Sequence, residues 1–157
     1  MRLVVIMIIA LLAFAKANSQ QTTATTTETV MLDKHPAIVV VDDFFKAFHL
    51  QDTTAMRTKF IAEPSVLSIA NRANKQLIVY SSIENLLDGI AAIPETVDFE
   101  ERLTSNEIIS DDGIATVHTD YEFYINGDLS HSGRNSFTLV LFDDKWVISQ
   151  IMDTRIY

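Results

Sequence analysis

The sequence predicts an α+β fold from three observations. The first half carries apolar residues at helical spacing, the spacing changes to a period of two beyond Pro94, and Asn126-Gly127 lies between two long alternating runs. Asn-Gly is the pair a type I′ hairpin turn requires, because both central residues must take positive φ. Helical and strand segments that separate along a chain in this way pack as helices on an antiparallel sheet.

The elements follow in order. Met1-Arg2 gives a short positive start, Leu3 to Ala15 is unbroken apolar sequence, and Ala15-Lys16-Ala17 offers small residues at a cleavage point. That is the pattern of a secretory signal peptide. The run is shorter than the roughly 20 residues a spanning helix needs, so a retained anchor is the weaker reading. Residues 18–31 are a polar, Thr-rich leader without hydrophobic period, and the domain occupies 32–157. The expected location is therefore outside the cytoplasm, periplasmic or secreted, with no membrane attachment after cleavage.

Composition narrows the function classes. There is no cysteine, which excludes a lipid-anchored lipoprotein, disulfides and thiolate metal sites. Removing 17 of the 157 residues would leave 140, and removing Arg2 and Lys16 from the 12 basic residues would leave 10 against 21 acidic. A surface this acidic argues against nucleic acid or an anionic membrane as partner.

Pro36 suits a first helical turn, and Ile38, Val41, Phe45 and Phe48 then recur at helical spacing to about Leu50, with Val40 and Phe44 widening the stripe. Asp52 or Thr53 can cap a shorter helix carrying Met56 and Phe60, closed by Pro64. Ser65–Ala70 and Gln76–Tyr80 are short β-rich runs. Ser81 and Glu84 have capping-box spacing before a helix carrying Ile83, Leu86, Leu87 and Ile90. Val97, Phe99, Glu101 and Leu103 then alternate with Asp98, Glu100 and Arg102. Asp111-Asp112-Gly113 is a turn, and the strands Ile114–Ile125, His131–Phe142 and Lys145–Ile156 complete the sheet, with Asp143-Asp144 turning between the last two.

In this order of elements the chain resembles the nuclear transport factor 2-like, or SnoaL-like, superfamily. The helix Val39 to Phe48 followed by Asp52 looks like the opening of such domains, Ile114-Ala115-Thr116-Val117 like the start of their central strand, and Lys145-Trp146-Val147-Ile148 like their last strand. His131-Ser132-Gly133 through Asp153-Thr154-Arg155 resembles a lumazine-binding-like bacterial branch. The resemblance implies a cone: three N-terminal helices packed on a strongly curved antiparallel sheet, leaving a pocket, with dimers formed through the outer sheet face. It implies no single chemistry, since the superfamily holds isomerases, dehydratases, hydrolases and noncatalytic members.

Strand parity sorts the side chains. A two-residue Asn126-Gly127 loop pairs Ile125 with Asp128, which puts His118, Asp120, Glu122 and Tyr124 on one face with His131, Asn135, Phe137 and Leu139. Across Asp143-Asp144 the same face continues into Trp146 and Met152. This face combines apolar and ionisable groups, as a pocket wall does. The candidate catalytic residues are His118, Asp120 and His131, since an imidazole beside a carboxylate can act as a general base. Candidate ligand contacts are Phe44, Phe48, Tyr80, Glu122, Tyr124, Asn135, Trp146 and Met152. The bland alternative, solvated polar residues on a sheet end, outweighs the catalytic one. A metal site is weaker still, because polar residues at i, i+2 are ordinary on a half-exposed strand, and no cofactor is implied.

The opposite face carries Val117, Tyr121, Phe123, Val140, Ile151, Arg134, Asp153 and Arg155. Its apolar members point to burial in a homodimer, and Asp153 with Arg155 to a stabilising ion pair. A bulge in either hairpin would flip part of this assignment. The expected function is binding of a small, largely apolar molecule in the cone. The alternative is a small lyase, isomerase or hydrolase using a His-Asp pair.

Overall fold

A computed structural model of the chain describes residues 34–73 and 75–157; the expected signal peptide and leader lie outside the described residues. Among the described residues three helices and seven strands follow as α1 (Pro36–His49), α2 (Thr53–Arg57), β1 (Phe60–Arg72), β2 (Lys75–Ser81), α3 (Ile83–Ala91), β3 (Phe99–Leu103), β4 (Glu107–Ser110), β5 (Ile114–Ile125), β6 (Asp128–Phe142) and β7 (Lys145–Ile156). The class is α+β.

Local chemistry sets most boundaries. Pro36 opens α1, and the His35 ring accepts from the Ala37 N–H (3.1 Å). Asp52 caps α2 by accepting from Ala55 N–H (2.9 Å). Ser82 caps α3 by accepting from Asn85 N–H (3.1 Å), so the cap falls one residue after the Ser81 that capping-box spacing selects. Phe60 starts β1 instead of ending α2, and Pro64 sits inside β1 where pairing with β7 is interrupted. A proline cannot donate to a ladder and is tolerated at such an irregularity. Both hairpin turns place consecutive residues at positive φ, Asn126 and Gly127 (51° and 85°) and Asp143 and Asp144 (47° and 58°).

The sheet runs β2-β1-β7-β6-β5-β3, with β4 pairing β5 further along the edge that β3 uses. It is mixed, not antiparallel as expected, because β1 and β7 run parallel: Val66 lies opposite Ile151 and Ser68 opposite Asp153. The core forms where α1 and α3 cover this sheet. Phe44 and Phe45 meet the ring of Phe137 edge-on at 5.6 and 5.7 Å, and Val41, Met56, Leu139 and Ile148 are fully enclosed.

Two bulges decide which side chains face that core. Ile125 does pair with Asp128 and Tyr124 with Leu129, but Phe123 then pairs with His131, leaving Ser130 as an extra residue in β6. In β7, Leu139 pairs with Ile148 and Thr138 with Gln150, leaving Ser149 extra. Each extra residue shifts the register by one, and beyond it every side chain changes face. Val117, Tyr121, Phe123 and Ile151 therefore point inward. Of the apolar residues expected on a dimer face, these four turn toward the core and Val140 alone stays on the outer face, half-buried, so the outer face is less apolar than expected.

Candidate functional site

Between α1, α3 and the inner sheet face lies a cavity of about 460 Å³. This falls within the range of small-molecule sites. Phe44, Phe45 and Phe48 reach it from α1, Leu86 and Ile90 from α3, Val66 and Val79 from the β1–β2 hairpin, and Phe123, Phe137 and Ile151 from the long strands. All three phenylalanines of α1 are buried and all three border the cavity.

Against this apolar lining stands a compact polar set. Asn135, 5% exposed, donates from Nδ2 to Glu101 Oε1 (2.7 Å) and to Thr119 Oγ1 (3.2 Å). Burial pushes the Glu101 carboxyl up to about 7, against the opposing hydrogen bond from Asn135. Glu101 borders the cavity, and among the described residues its Oε2 meets no hydrogen-bond partner. On β7, Arg155 Nε donates to Asp153 Oδ2 (2.7 Å) and its Nη2 to Ser68 Oγ (3.2 Å), while Ser68 itself donates to Asp153 Oδ1. Tyr121 donates to the Thr154 carbonyl (2.9 Å), and burial raises its phenol.

The backbone of Glu101 is anchored from α1. His49 Nε2 accepts its N–H at 3.0 Å, so this imidazole must be neutral at Nε2. Burial lowers the His49 pKa, in agreement with that tautomer. Its ring stands 5.3 Å from Phe48 and 6.4 Å from Phe99.

The sequence-predicted residues divide by face. Phe44, Phe48, Asn135 and His131 border the cavity. His131 lies 4.9 Å from the ring of Phe123 and 5.0 Å from that of Tyr157, and burial followed by the charge of Arg155 lowers its pKa. His118, Asp120, Glu122 and Tyr124 are on the outer face, because the Ser130 bulge reverses the expected pairing. Asp120 takes two bonds from Arg134, Nε to Oδ1 (2.7 Å) and Nη2 to Oδ2 (3.1 Å), and one from Ser105 Oγ (2.8 Å). Those bonds, Arg134 first, hold its carboxyl down at about 2. Glu122 accepts from the Tyr124 hydroxyl at 2.7 Å.

Thus the His-Asp pair is not assembled. His131 and Asp120 lie on opposite faces, and His118 Nδ1 is buried without a partner among the described residues. Nor do three His, Cys, Asp or Glu of the described residues converge as metal ligands. Met152 is turned outward by the Ser149 bulge. Tyr80 is 79% exposed, since strand alternation gives the cavity its neighbours Val79 and Ser81. Trp146 packs beside His35 at 5.5 Å, away from this cavity.

Sequence reasoning missed Glu101 as a site residue, and placed Asp153 and Arg155 on the wrong face while pairing them correctly. Glu101 did leave a signal. It is the one acid on the apolar side of the Val97-Phe99-Glu101-Leu103 alternation, and a charge in such a place is the informative exception.

No protein-family model matches the sequence, and no curated protein matches it. Solved structures do. A nuclear transport factor 2-like protein of unknown function from Shewanella baltica OS155 is 18% identical, with a TM-score of 0.57 over 78% of this chain and 93% of that one. A candidate dehydratase of the same fold family from Streptomyces avermitilis is 12% identical, with a TM-score of 0.60 over 78% of this chain and 94% of that one. A candidate ketosteroid isomerase from Shewanella frigidimarina NCIMB 400 is 14% identical, with a TM-score of 0.56 over 76% of this chain and 95% of that one. The chain has the nuclear transport factor 2-like fold. At these identities the likeness carries the fold, and not the lumazine-binding-like branch.

Proposed function

We propose that this nuclear transport factor 2-like domain binds a small, largely apolar molecule in the cavity between its helices and sheet, and does so outside the cytoplasm. The observation that carries the reading is an open cavity of about 460 Å³ whose phenylalanine and aliphatic walls meet one polar set, Glu101, Asn135, Asp153 and Arg155. Apolar walls supply affinity and a few placed polar groups supply orientation. The export half of the reading rests on the signal-peptide pattern of residues 1–17.

The binding half is tested by NMR titration with phenylbutanol. Saturable shifts are expected at the Asn135 side-chain amide and at the Gly89 amide, which border the cavity from β6 and α3. Gly89→Trp should weaken the binding, since a Cβ there meets nothing within 4 Å and the ring can enter the opening without displacing the fold. Absence of saturation, or shifts confined to the exposed β2 edge, would refute the reading.

A second reading, catalysis, is favoured by one observation. A carboxyl at about 7 is divided between acid and base near neutral pH, the condition for general acid–base work. In that reading Glu101 moves the proton, in place of the His-Asp pair, and two structural neighbours with candidate dehydratase and isomerase activities share the fold. Turnover of a bound molecule that Glu101→Gln abolishes without weakening binding would establish it.

A further inference from the structure

Among the described residues that line the cavity, one acid is left without a charged partner. Arg155 and Asp153 cancel each other across the 2.7 Å bond between them, and Ser68 occupies the other Asp153 oxygen. His49, facing Glu101 from α1, is neutral at the nitrogen that accepts the Glu101 N–H. His131 on β6 is surrounded by Tyr121, Phe123 and Tyr157 at 5.8, 4.9 and 5.0 Å. Tyr121 on β5 is bonded to a backbone carbonyl, and Asn135 carries no charge. Glu100, next along β3, is exposed and pairs with Arg102 at 2.7 Å. What remains is the Glu101 carboxyl, with Oε1 bonded to Asn135 and Oε2 without a partner among the described residues.

An acceptor of this kind sorts ligands by head group. A hydroxyl or an amine can donate to Oε2, and an ammonium gains the attraction of the ionised form as well. A ligand carboxylate offers no donor and meets a like charge against the apolar wall of the cavity. Arg155 does not rescue it, because its charge is already matched by Asp153.

We propose, building on the ligand-binding reading, that Glu101 makes the cavity selective for apolar molecules ending in a hydrogen-bond donor, an alcohol or an amine, and closes it to carboxylates such as short fatty acids. Protonation relaxes the exclusion. Glu101 passes from mostly ionised to mostly protonated between about pH 8 and pH 6, which would strengthen carboxylate binding about tenfold.

The test uses three ligands with one apolar body: phenylbutanol, phenylbutylamine and phenylbutanoate, titrated calorimetrically into the protein. At about pH 8 the alcohol and the amine should each bind roughly tenfold or more tighter than the carboxylate. Glu101→Gln should raise carboxylate affinity about tenfold at that pH and lower amine affinity, with little change for the alcohol. The wild type gives an independent reading without mutation, since carboxylate binding alone should strengthen on going to about pH 6. Equal affinity for the alcohol and the carboxylate at about pH 8 would overturn the proposal, as would a ranking that Glu101→Gln leaves unchanged. Binding by none of the three would instead overturn the cavity reading beneath it.

Discussion

Replacing Glu101 by Gln should make the folded protein less sensitive to a rise in pH from about 4.5 to about 7, by an amount that follows from the structure. The folded state holds the Glu101 proton up to about 7, whereas the ordinary value is 4.5. Below about pH 4.5 both states are protonated and the group contributes nothing to the difference. As the pH rises from there, the unfolded chain loses its proton first, so stability falls until the folded carboxyl also ionises near 7. About two and a half pH units at about 1.4 kcal/mol each give a loss of roughly 3 kcal/mol. Gln keeps an oxygen for Asn135 and removes the titration. The comparison must be between variant and wild type at each pH, because His49 and His131, both lowered mainly by burial, work in the opposite direction below about 6.5. Urea unfolding followed through the single tryptophan, Trp146, supplies the readout. Between about pH 4 and pH 8 the variant should gain roughly 3 kcal/mol on the wild type. The same difference at both pH values would refute the claim that burial raises this carboxyl.

Two further outcomes can be read from stability alone. Gly133→Ala should cost about 3 kcal/mol or more, seen as a large fall in Tm or loss of soluble protein, because a Cβ there would stand 1.7 Å from the Thr154 carbonyl oxygen and 2.9 Å from the Tyr121 hydroxyl; an unchanged Tm would show that β6 and β7 do not approach this closely. His49→Phe keeps a ring beside Phe48 and Phe99 but leaves the Glu101 N–H without its acceptor, for a loss of about 1–2 kcal/mol. Because burial lowers the His49 pKa, its contribution is complete above about 6.5 and shrinks as the pH falls, so the variant's deficit should narrow in acid; fast amide exchange at Glu101 in the variant would locate the lost bond.

Much of the fold was legible because its punctuation is local. Pro36, Asp52, Asn126-Gly127 and Asp143-Asp144 act through their own backbones, and the strands Ile114–Ile125 and Lys145–Ile156 have the bounds their alternation suggests. What lay outside local reach was of three kinds. The parallel pairing of β1 with β7 joins residues some eighty positions apart, and no turn announces it. Strand β4 spans four residues, too short for a period to register. The bulges at Ser130 and Ser149 carry no sequence mark, since any small residue can be the extra one.

Those two serines account for nearly every misplaced site residue. With both hairpins unbroken, His118, Asp120 and Glu122 would share a face with His131, and Asp153 and Arg155 would lie on the other. With the bulges, the first three stand outside, where Arg134 and Tyr124 bond Asp120 and Glu122, and the Asp153–Arg155 pair turns in beside Asn135. The consequence for chemistry is large, because three uncancelled titratable groups are exchanged for one neutralised pair. Glu101 is untouched by either bulge, as β3 pairs in unbroken register with the edge of β5 opposite β6, Glu101 facing Phe123. Its inward position follows from plain alternation with Phe99 and Leu103. Among the described lining residues, the bulges therefore leave this carboxyl as the acid without a charged partner, which is why one acid on an apolar strand face carries the selectivity proposed for the cavity.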